Sequence, residues 1–262
     1  MIEHWSHGDA DGHMPEEILV DLATIVRHHP WWQARAALTI DLLSDLGLDP
    51  PARVLDVGCG WGVTLAALEA RGYRTVGLDI SRRTLEELDR PGRTLIEADL
   101  TRPFRRDVPA HDAVLALDVI EHLDDDGAAV RRMASLTRPG GIVIVSVPAL
   151  PGMYGEFDRI QGHRRRYLPE RLRDAFVDSG LLVERIFWWG RWLVPTLTRQ
   201  RARNRMRPGE SAADGYRRYL RPPPWPLGTV ARLAFAIERR KAIRGQLGIG
   251  TSLFAVARRH QG

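Results

Sequence analysis

A single cysteine, Cys59, occurs in the 262 residues, which excludes an internal disulfide and fits a reducing, cytoplasmic setting. No apolar run reaches the roughly 18 residues that a membrane-spanning helix needs. The opening residues, Met-Ile-Glu-His-Trp-Ser-His-Gly-Asp, are polar and acidic where a secretory leader would be basic and then apolar. The chain has no internal repeat, and no RNA-binding module motif is present. His4, His7, Asp9, Asp11 and His13 are metal-ligand types near the N-terminus, but their spacing matches no defined site and no metal is expected.

What remains is ordinary in bulk. With 44% hydrophobic and 27% charged residues, the chain can bury a full core as a soluble globular protein. Its net charge is +5 and its pI about 9.9, carried almost wholly by arginine in runs at 164 to 166, 199 to 207, 217 to 221 and 239 to 244. Such runs are read first as solvated faces. Nucleic acid, anionic lipid or a phosphorylated substrate are the alternatives.

Residues 1–14 lack apolar periodicity and read as a flexible arm. Residues 16–28 and 31–46 carry helical spacing (Ile18, Leu22, Ile25; Leu38, Leu42, Leu46), and residues 15–50 read as a helical cap that Pro50-Pro51 ends. Short apolar strands near 53–57, 74–79, 93–97, 112–117 and 141–147 then alternate with helices near 63–70, 82–89 and 127–136. Parallel crossovers need a helix, so this alternation predicts a Rossmann-like α/β core with a doubly wound, mostly parallel sheet. A helix over 169–179, a strand over 181–188 and a last strand over 251–258 complete it. The expected core is 51–189 with 249–262, and 190–248 is a helical and loop insertion, a lid or an interface.

The most informative stretch is Arg-Val-Leu-Asp-Val-Gly-Cys-Gly-Trp-Gly over 53–62. A buried strand ends in Asp56 and runs into Gly58, Gly60 and Gly62, with Cys59 packed between them. The backbone there can turn sharply and lie against a nucleotide-like ligand. The dinucleotide fingerprint places two residues between its second and third glycines, whereas here only Trp61 intervenes. A second strand ends in Asp79-Ile80, about 20 residues on, where a carboxylate can accept both hydroxyls of a ribose. A third ends at Asp99-Leu100 and a fourth in Asp118-Val119-Ile-Glu-His122.

This pattern resembles the class I S-adenosylmethionine-dependent methyltransferases. The resemblance implies a seven-stranded sheet with the last strand antiparallel, Asp79 at the ribose, Asp99 and Leu100 at the adenine, and Asp118 and Val119 beside the methionine half. His29-Pro-Trp-Trp-Gln-Ala-Arg35, Val147-Pro-Ala149 with Phe157-Asp-Arg-Ile-Gln-Gly-His-Arg-Arg-Arg-Tyr167, and Gly248-Ile-Gly-Thr-Ser-Leu-Phe254 are similar to segments of a small-molecule branch of that family, so the likeness spans residues 28 to 258. In that branch a polar residue, often His, precedes the acid of the later segment, where this chain has Phe157 before Asp158.

The donor implied is S-adenosylmethionine and the acceptor a small molecule, methylated on oxygen or nitrogen by in-line displacement. The expected base is His163, oriented by Asp158, with His122 as second candidate and Tyr167 or Tyr154 as acceptor binder. Arg35 is expected to reach the cofactor's carboxylate, with Trp31 and Trp32 either closing over it or packing in the core. Anchoring of a lid is the plainer reading of the 163–166 segment. A lipid-linked or glycan acceptor at a membrane surface is the alternative, from Trp188, Trp189, Trp192 and Trp225 among arginines. Nucleic-acid methylation is disfavoured, since Asp118-Val-Ile-Glu is not the Asn/Asp-Pro-Pro-aromatic tetrad of base-amine enzymes. The oligomeric state is left open.

Overall fold

A computed structural model describes residues 2–6, 22–104, 109–203, 207–220, 227–245 and 248–261. Its elements in chain order are β1 (Ile2–His4), α1 (Ala23–His28), α2 (Pro30–Asp45), β2 (Arg53–Val57), α3 (Val63–Glu69), β3 (Arg74–Asp79), α4 (Arg82–Leu88), β4 (Thr94–Glu97), β5 (His111–Leu117), α5 (Asp126–Leu136), β6 (Thr137–Pro148), α6 (Glu156–Ile160), α7 (Pro169–Asp174), β7 (Leu181–Trp189), α8 (Leu193–Arg203), α9 (Ala212–Tyr219), α10 (Leu227–Ile243) and β8 (Ser252–Arg259). The expected helix over 16–28 is described only from residue 22, and His7, Asp9, Asp11, His13 and Trp225 lie outside the described residues.

One sheet runs β1-β4-β3-β2-β5-β6-β8-β7. The first six strands pair in parallel, and β8 lies antiparallel to both β6 and β7. The sheet therefore has eight strands where seven were expected. The additional strand comes from the segment read as a flexible arm: Ile2, Glu3 and His4 pair with Leu95, Ile96 and Glu97. Trp5 is buried against Phe104, 6.2 Å between centroids, and with Ile2 packed on the cluster of Leu65, Leu85 and Leu95 it anchors a segment that has no periodicity of its own.

Period-two alternation splits the core into two layers. Val114 and Ala116 of β5 with Val143, Val145 and Val147 of β6 face α5 and α7, through residues such as Val130, Met133 and Leu172. Ala113, Leu115 and Leu117 with Ile142 and Ile144 face α2, α3 and α10, through Leu38, Leu42, Leu68 and Phe235. Burial on both faces is the reason these strands read as continuous apolar runs.

The insertion divides into parts with different partners. α10 packs along α2, with Phe235 against Trp189 and Trp192 at 5.4 and 4.8 Å and Arg239 paired to Asp41 at 2.8 Å. α9 packs on α6, where Tyr219 stacks on Phe157 at 4.3 Å and Tyr216 Oη donates to Gln161 Oε1 at 2.8 Å.

Trp189 is the largest side chain with no exposed surface, wedged between Trp31, Phe235 and Phe254. Trp189→Ala is expected to cost about 3–5 kcal/mol, read as a lowered midpoint in urea unfolding. Trp189→Phe should cost much less, because the indole N–H has no hydrogen-bond partner among the described residues.

Candidate functional site

The strand order reverses between β2 and β5, and in open α/β sheets ligands bind at such a point, beyond the carboxyl ends of the strands. The glycine turn after β2 and Asp118 after β5 meet there. Gly58, Gly60 and Gly62 all have left-handed φ (64°, 45° and 70°), but the space around them differs. A Cβ on Gly58 would stand 2.5 Å from Val119 Cγ2, and one on Gly62 2.7 Å from Leu88 Cδ2. Those two glycines let the turn seat against the protein. A Cβ on Gly60 would meet nothing nearer than 3.9 Å, so its open side is where a ligand can approach the backbone.

Asp79 ties this turn to the end of β3. Its Oδ2 accepts the Gly60 N–H at 2.8 Å and its Oδ1 the Ser81 N–H at 3.0 Å. A carboxylate has about four acceptor positions, which leaves room for the two ribose hydroxyls. Burial pushes the Asp79 carboxyl above its usual range. Ile80 follows in the same turn. Cys59 is buried against Leu65, Leu85, Leu88 and Leu95, a packing role. Asp99 Oδ1 accepts from Thr101 N and Oγ1, and Oδ2 from Arg102 Nε at 3.2 Å, so this acid holds its own turn while Leu100 is buried beside it.

Asp118 has φ 60°, strained for a residue with a side chain, and several bonds hold it there. Its N–H donates to Ser146 O at 2.9 Å, its Oδ1 accepts from Ser146 Oγ at 3.0 Å, and its Oδ2 accepts from Arg35 Nη1. Arg35 thus pairs with Asp118 through Nη1, while its Nε has no hydrogen-bond partner among the described residues. Its guanidinium lies 4.7 Å from the Trp31 ring centroid. Trp32 is buried with Val63, Phe157 and Tyr216. His29 caps α2: its Nδ1 accepts the Trp31 N–H at 3.2 Å, and burial lowers its pKa to about 4, which keeps that nitrogen an acceptor.

On the acceptor side, His163 is buried with Nδ1 3.2 Å from Asp158 Oδ1 and Nε2 3.9 Å from Glu121 Oε1. The His122 and His163 rings meet edge to face at 4.8 Å. Asp158 is held by Arg166 Nε at 2.8 Å and the Gly155 N–H at 2.8 Å. Tyr154 Oη donates to the His163 carbonyl at 2.9 Å. Tyr167 corrects an expectation: it is fully buried, its hydroxyl donates to Asp126 Oδ2 at 2.8 Å, and it packs in the core, so it has no surface to offer an acceptor.

Sequence reasoning passed over Glu121, fully buried with neither carboxylate oxygen hydrogen-bonded among the described residues. Burial, then the Asp118 charge, push its carboxyl well above the usual range. The signal was present as an acid directly before His122. Ser146, the brace of Asp118, was also legible as the one hydroxyl in the apolar run Ile142 to Val147.

Asp56 is buried, and its Oδ2 has no partner among the described residues. Burial raises its pKa from 3.8 to about 7, with Arg35 opposing and Asp79 adding to the rise. Below pH 4 both folded and unfolded chains hold this proton. From there to about pH 7 only the unfolded chain releases it, so folding loses stability as pH rises. Asp56→Asn should therefore gain over the parent protein by about 1.4 kcal/mol per pH unit across that window, then keep a constant advantage above it. Urea unfolding of both proteins from pH 4 to 9 checks this, and a pH-independent difference would refute it.

The methyltransferase domain model matches residues 31–186. The ubiquinone biosynthesis O-methyltransferase of Alkalilimnicola ehrlichii is 35% identical over 103 residues, 36% of this chain and 40% of that one. That of Hahella chejuensis is 26% identical over 149 residues, 48% and 61% of the two chains. The chain thus matches only 40% to 61% of the length of these curated relatives. Among solved structures, the [4+2]-cyclase SpnF superposes with a TM-score of 0.60 at 19% identity, covering 94% and 95% of the two chains. A SAM-dependent methyltransferase from Archaeoglobus fulgidus gives 0.53 at 17%, covering 86% and 92%. At such identities these structures show a common fold, and a cyclase among them shows that the fold does not fix the reaction. The family match over more than half the chain joins the glycine turn and strand-end acids described above, and the chain belongs to the methyltransferase domain family.

Proposed function

We propose that the protein transfers a methyl group from S-adenosylmethionine to an oxygen or nitrogen of a small-molecule acceptor. The observation that carries this is Gly60, whose open side faces the crevice while its N–H is bonded to Asp79. Asp79 and the glycine turn hold the ribose and the backbone-facing part of the donor, and Asp118 and Val119 flank its methionine end. A sulfonium is already an activated donor. The protein's main task is alignment, which contributes up to roughly 7–11 kcal/mol in well-oriented cases. The names of the curated relatives support an oxygen acceptor, and the partial overlap with them leaves its identity to experiment.

The acceptor side is assigned to the cluster of His163, His122 and Glu121, which α6 adjoins through Asp158. His163 is the residue that acts on the acceptor's hydroxyl or amine. Asp158 holds its Nδ1, which leaves Nε2 to face the pocket. Arg35 supports the donor site through Asp118, a positioning role.

Isothermal titration with S-adenosylhomocysteine tests the donor assignment. Micromolar binding is expected, weakened about tenfold or more in Asp79→Asn, which trades charge-assisted bonds of about 1.5–3 kcal/mol for neutral ones. Absence of binding by the folded parent protein would overturn it.

A second reading, contact with a lipid surface, has one observation in favour. Val230, Leu233 and Ile237 form an exposed stripe on α10, close in sequence to Arg240 and Lys241. The tryptophans that first suggested it give less support, since Trp189 is buried and Trp192 packs on Phe235. No helix among the described residues is long and apolar enough to cross a membrane. Co-sedimentation with anionic vesicles is expected to fall in the triple variant Val230→Ser, Leu233→Ser, Ile237→Ser, and no sedimentation of the parent protein would remove this reading.

A further inference from the structure

We propose that Glu121, His122 and His163 bind one divalent first-row transition-metal ion on the acceptor side of the crevice. One ligand atom from each residue lies within 4.8 Å of the others. A single ion at about 2.0–2.2 Å from imidazole nitrogen and carboxylate oxygen can bridge such a set with small side-chain adjustments. Two imidazoles and one carboxylate are a donor set used by catalytic zinc and by non-haem iron. In both cases it leaves coordination positions open.

Two further observations point to an ion. Glu121 is fully buried, and neither of its oxygens has a hydrogen-bond partner among the described residues. An ionised carboxylate in that position is costly unless a cation meets it. His163, in turn, is oriented as metal-binding histidines are, with its second nitrogen on a carboxylate. Nδ1 lies 3.2 Å from Asp158 Oδ1, and Asp158 is fixed by Arg166 and Gly155. This leaves Nε2 on the Glu121 side, 3.9 Å from Oε1. A proton-accepting histidine needs such an orienting carboxylate too, but it does not account for a second buried carboxylate, without a hydrogen bond among the described residues, facing its reactive nitrogen.

The inference rests on the acceptor pocket assigned above and changes how His163 acts there. With an ion bound, an acceptor hydroxyl would take an open position. Coordination lowers the hydroxyl's pKa, so its proton leaves to solvent. The oxygen then forms the new bond to the methyl carbon as the carbon–sulfur bond breaks, and the sulfur leaves as a neutral thioether. The acceptor class favoured is therefore an oxygen nucleophile.

The test is a titration of full-length, chelator-treated protein with Co²⁺, followed by its visible absorption and by equilibrium dialysis. The parent protein is expected to bind one equivalent with ligand-field bands. Affinity should fall at least tenfold in Glu121→Gln and in His163→Ala, and 10–100-fold in the positioning variant Asp158→Asn. His260→Ala, at an exposed position outside the cluster, should bind as the parent does. Failure of the parent to bind would overturn the proposal. So would unchanged affinity in both Glu121→Gln and His163→Ala, which would place the ion elsewhere, for instance on the N-terminal histidines. Glu121→Gln removes a buried charge and so should still fold, and S-adenosylhomocysteine titration of the same samples confirms that. Loss of nucleoside binding by the parent protein would strike the donor assignment and leave the metal titration to be judged alone.

Discussion

The site depends on one partly buried ion pair, Arg35 with Asp118. It joins α2, which comes from outside the alternating core, to the first residue beyond β5, where the strand order reverses. Asp118 sits in a left-handed conformation that costs about 1–3 kcal/mol, and Ser146 and Arg35 together keep it there. From that turn the rest follows by contact. Val119 seats against Gly58, so the position of the glycine turn is referred to Asp118. The short 3-10 segment Ile120–His122 then presents Glu121 and His122, and the Glu121 carbonyl accepts the Arg164 N–H at 2.8 Å, drawing the His163 segment to the same edge. Donor and acceptor sides are thus registered to each other through a few residues after β5.

The Arg35 pairing also gives the His-Pro-Trp-Trp-Gln-Ala-Arg segment a physical meaning. His29 caps the helix and Pro30 starts it, which fixes where α2 begins. Arg35 then falls under β5, and Trp31 covers the flat face of its guanidinium and bridges to Trp189. The aromatic pair shields the ion pair from solvent, which strengthens it. Sequence shows Arg35 as a cation near the site without showing that Asp118 is the acid it pairs with.

Much of the fold was legible because the physics is local. Strands buried on both faces appear as apolar runs, and glycines forced to positive φ appear as glycines, so β2 to β6 and the turn at 58–62 could be read directly. What escaped depends on distant contacts. β1 exists because Trp5 finds a place against Phe104 about a hundred residues away and Ile2 packs on the cluster of Leu65, Leu85 and Leu95, and three residues carry no periodic signal. Tyr167 looked like an acceptor binder beside arginines, yet its hydroxyl has a buried carboxylate, Asp126, that lies 41 residues earlier. Glu121 and His163 come together from segments about forty residues apart, so no spacing rule for metal or catalytic motifs could have joined them. The insertion was recognisable as helical, but its division into α10 on the sheet side and α9 over α6 is set by aromatic partners on other elements.

The charge of the site accounts for the kind of donor it suits. Asp56, Asp79, Asp118 and Glu121 lie around the carboxyl ends of β2, β3 and β5, and the cation committed among them is Arg35. Burial raises the carboxyls of Asp56, Asp79 and Glu121, because a region of low polarity disfavours the charged form. A ligand carrying positive charge favours the ionised forms, and S-adenosylmethionine carries both a sulfonium and an ammonium. An ion on Glu121 acts in the same direction on the acceptor side, compensating a buried acid neither of whose oxygens is hydrogen-bonded among the described residues. A cation bound at that edge favours the ionised carboxylates and so opposes the burial that raises them.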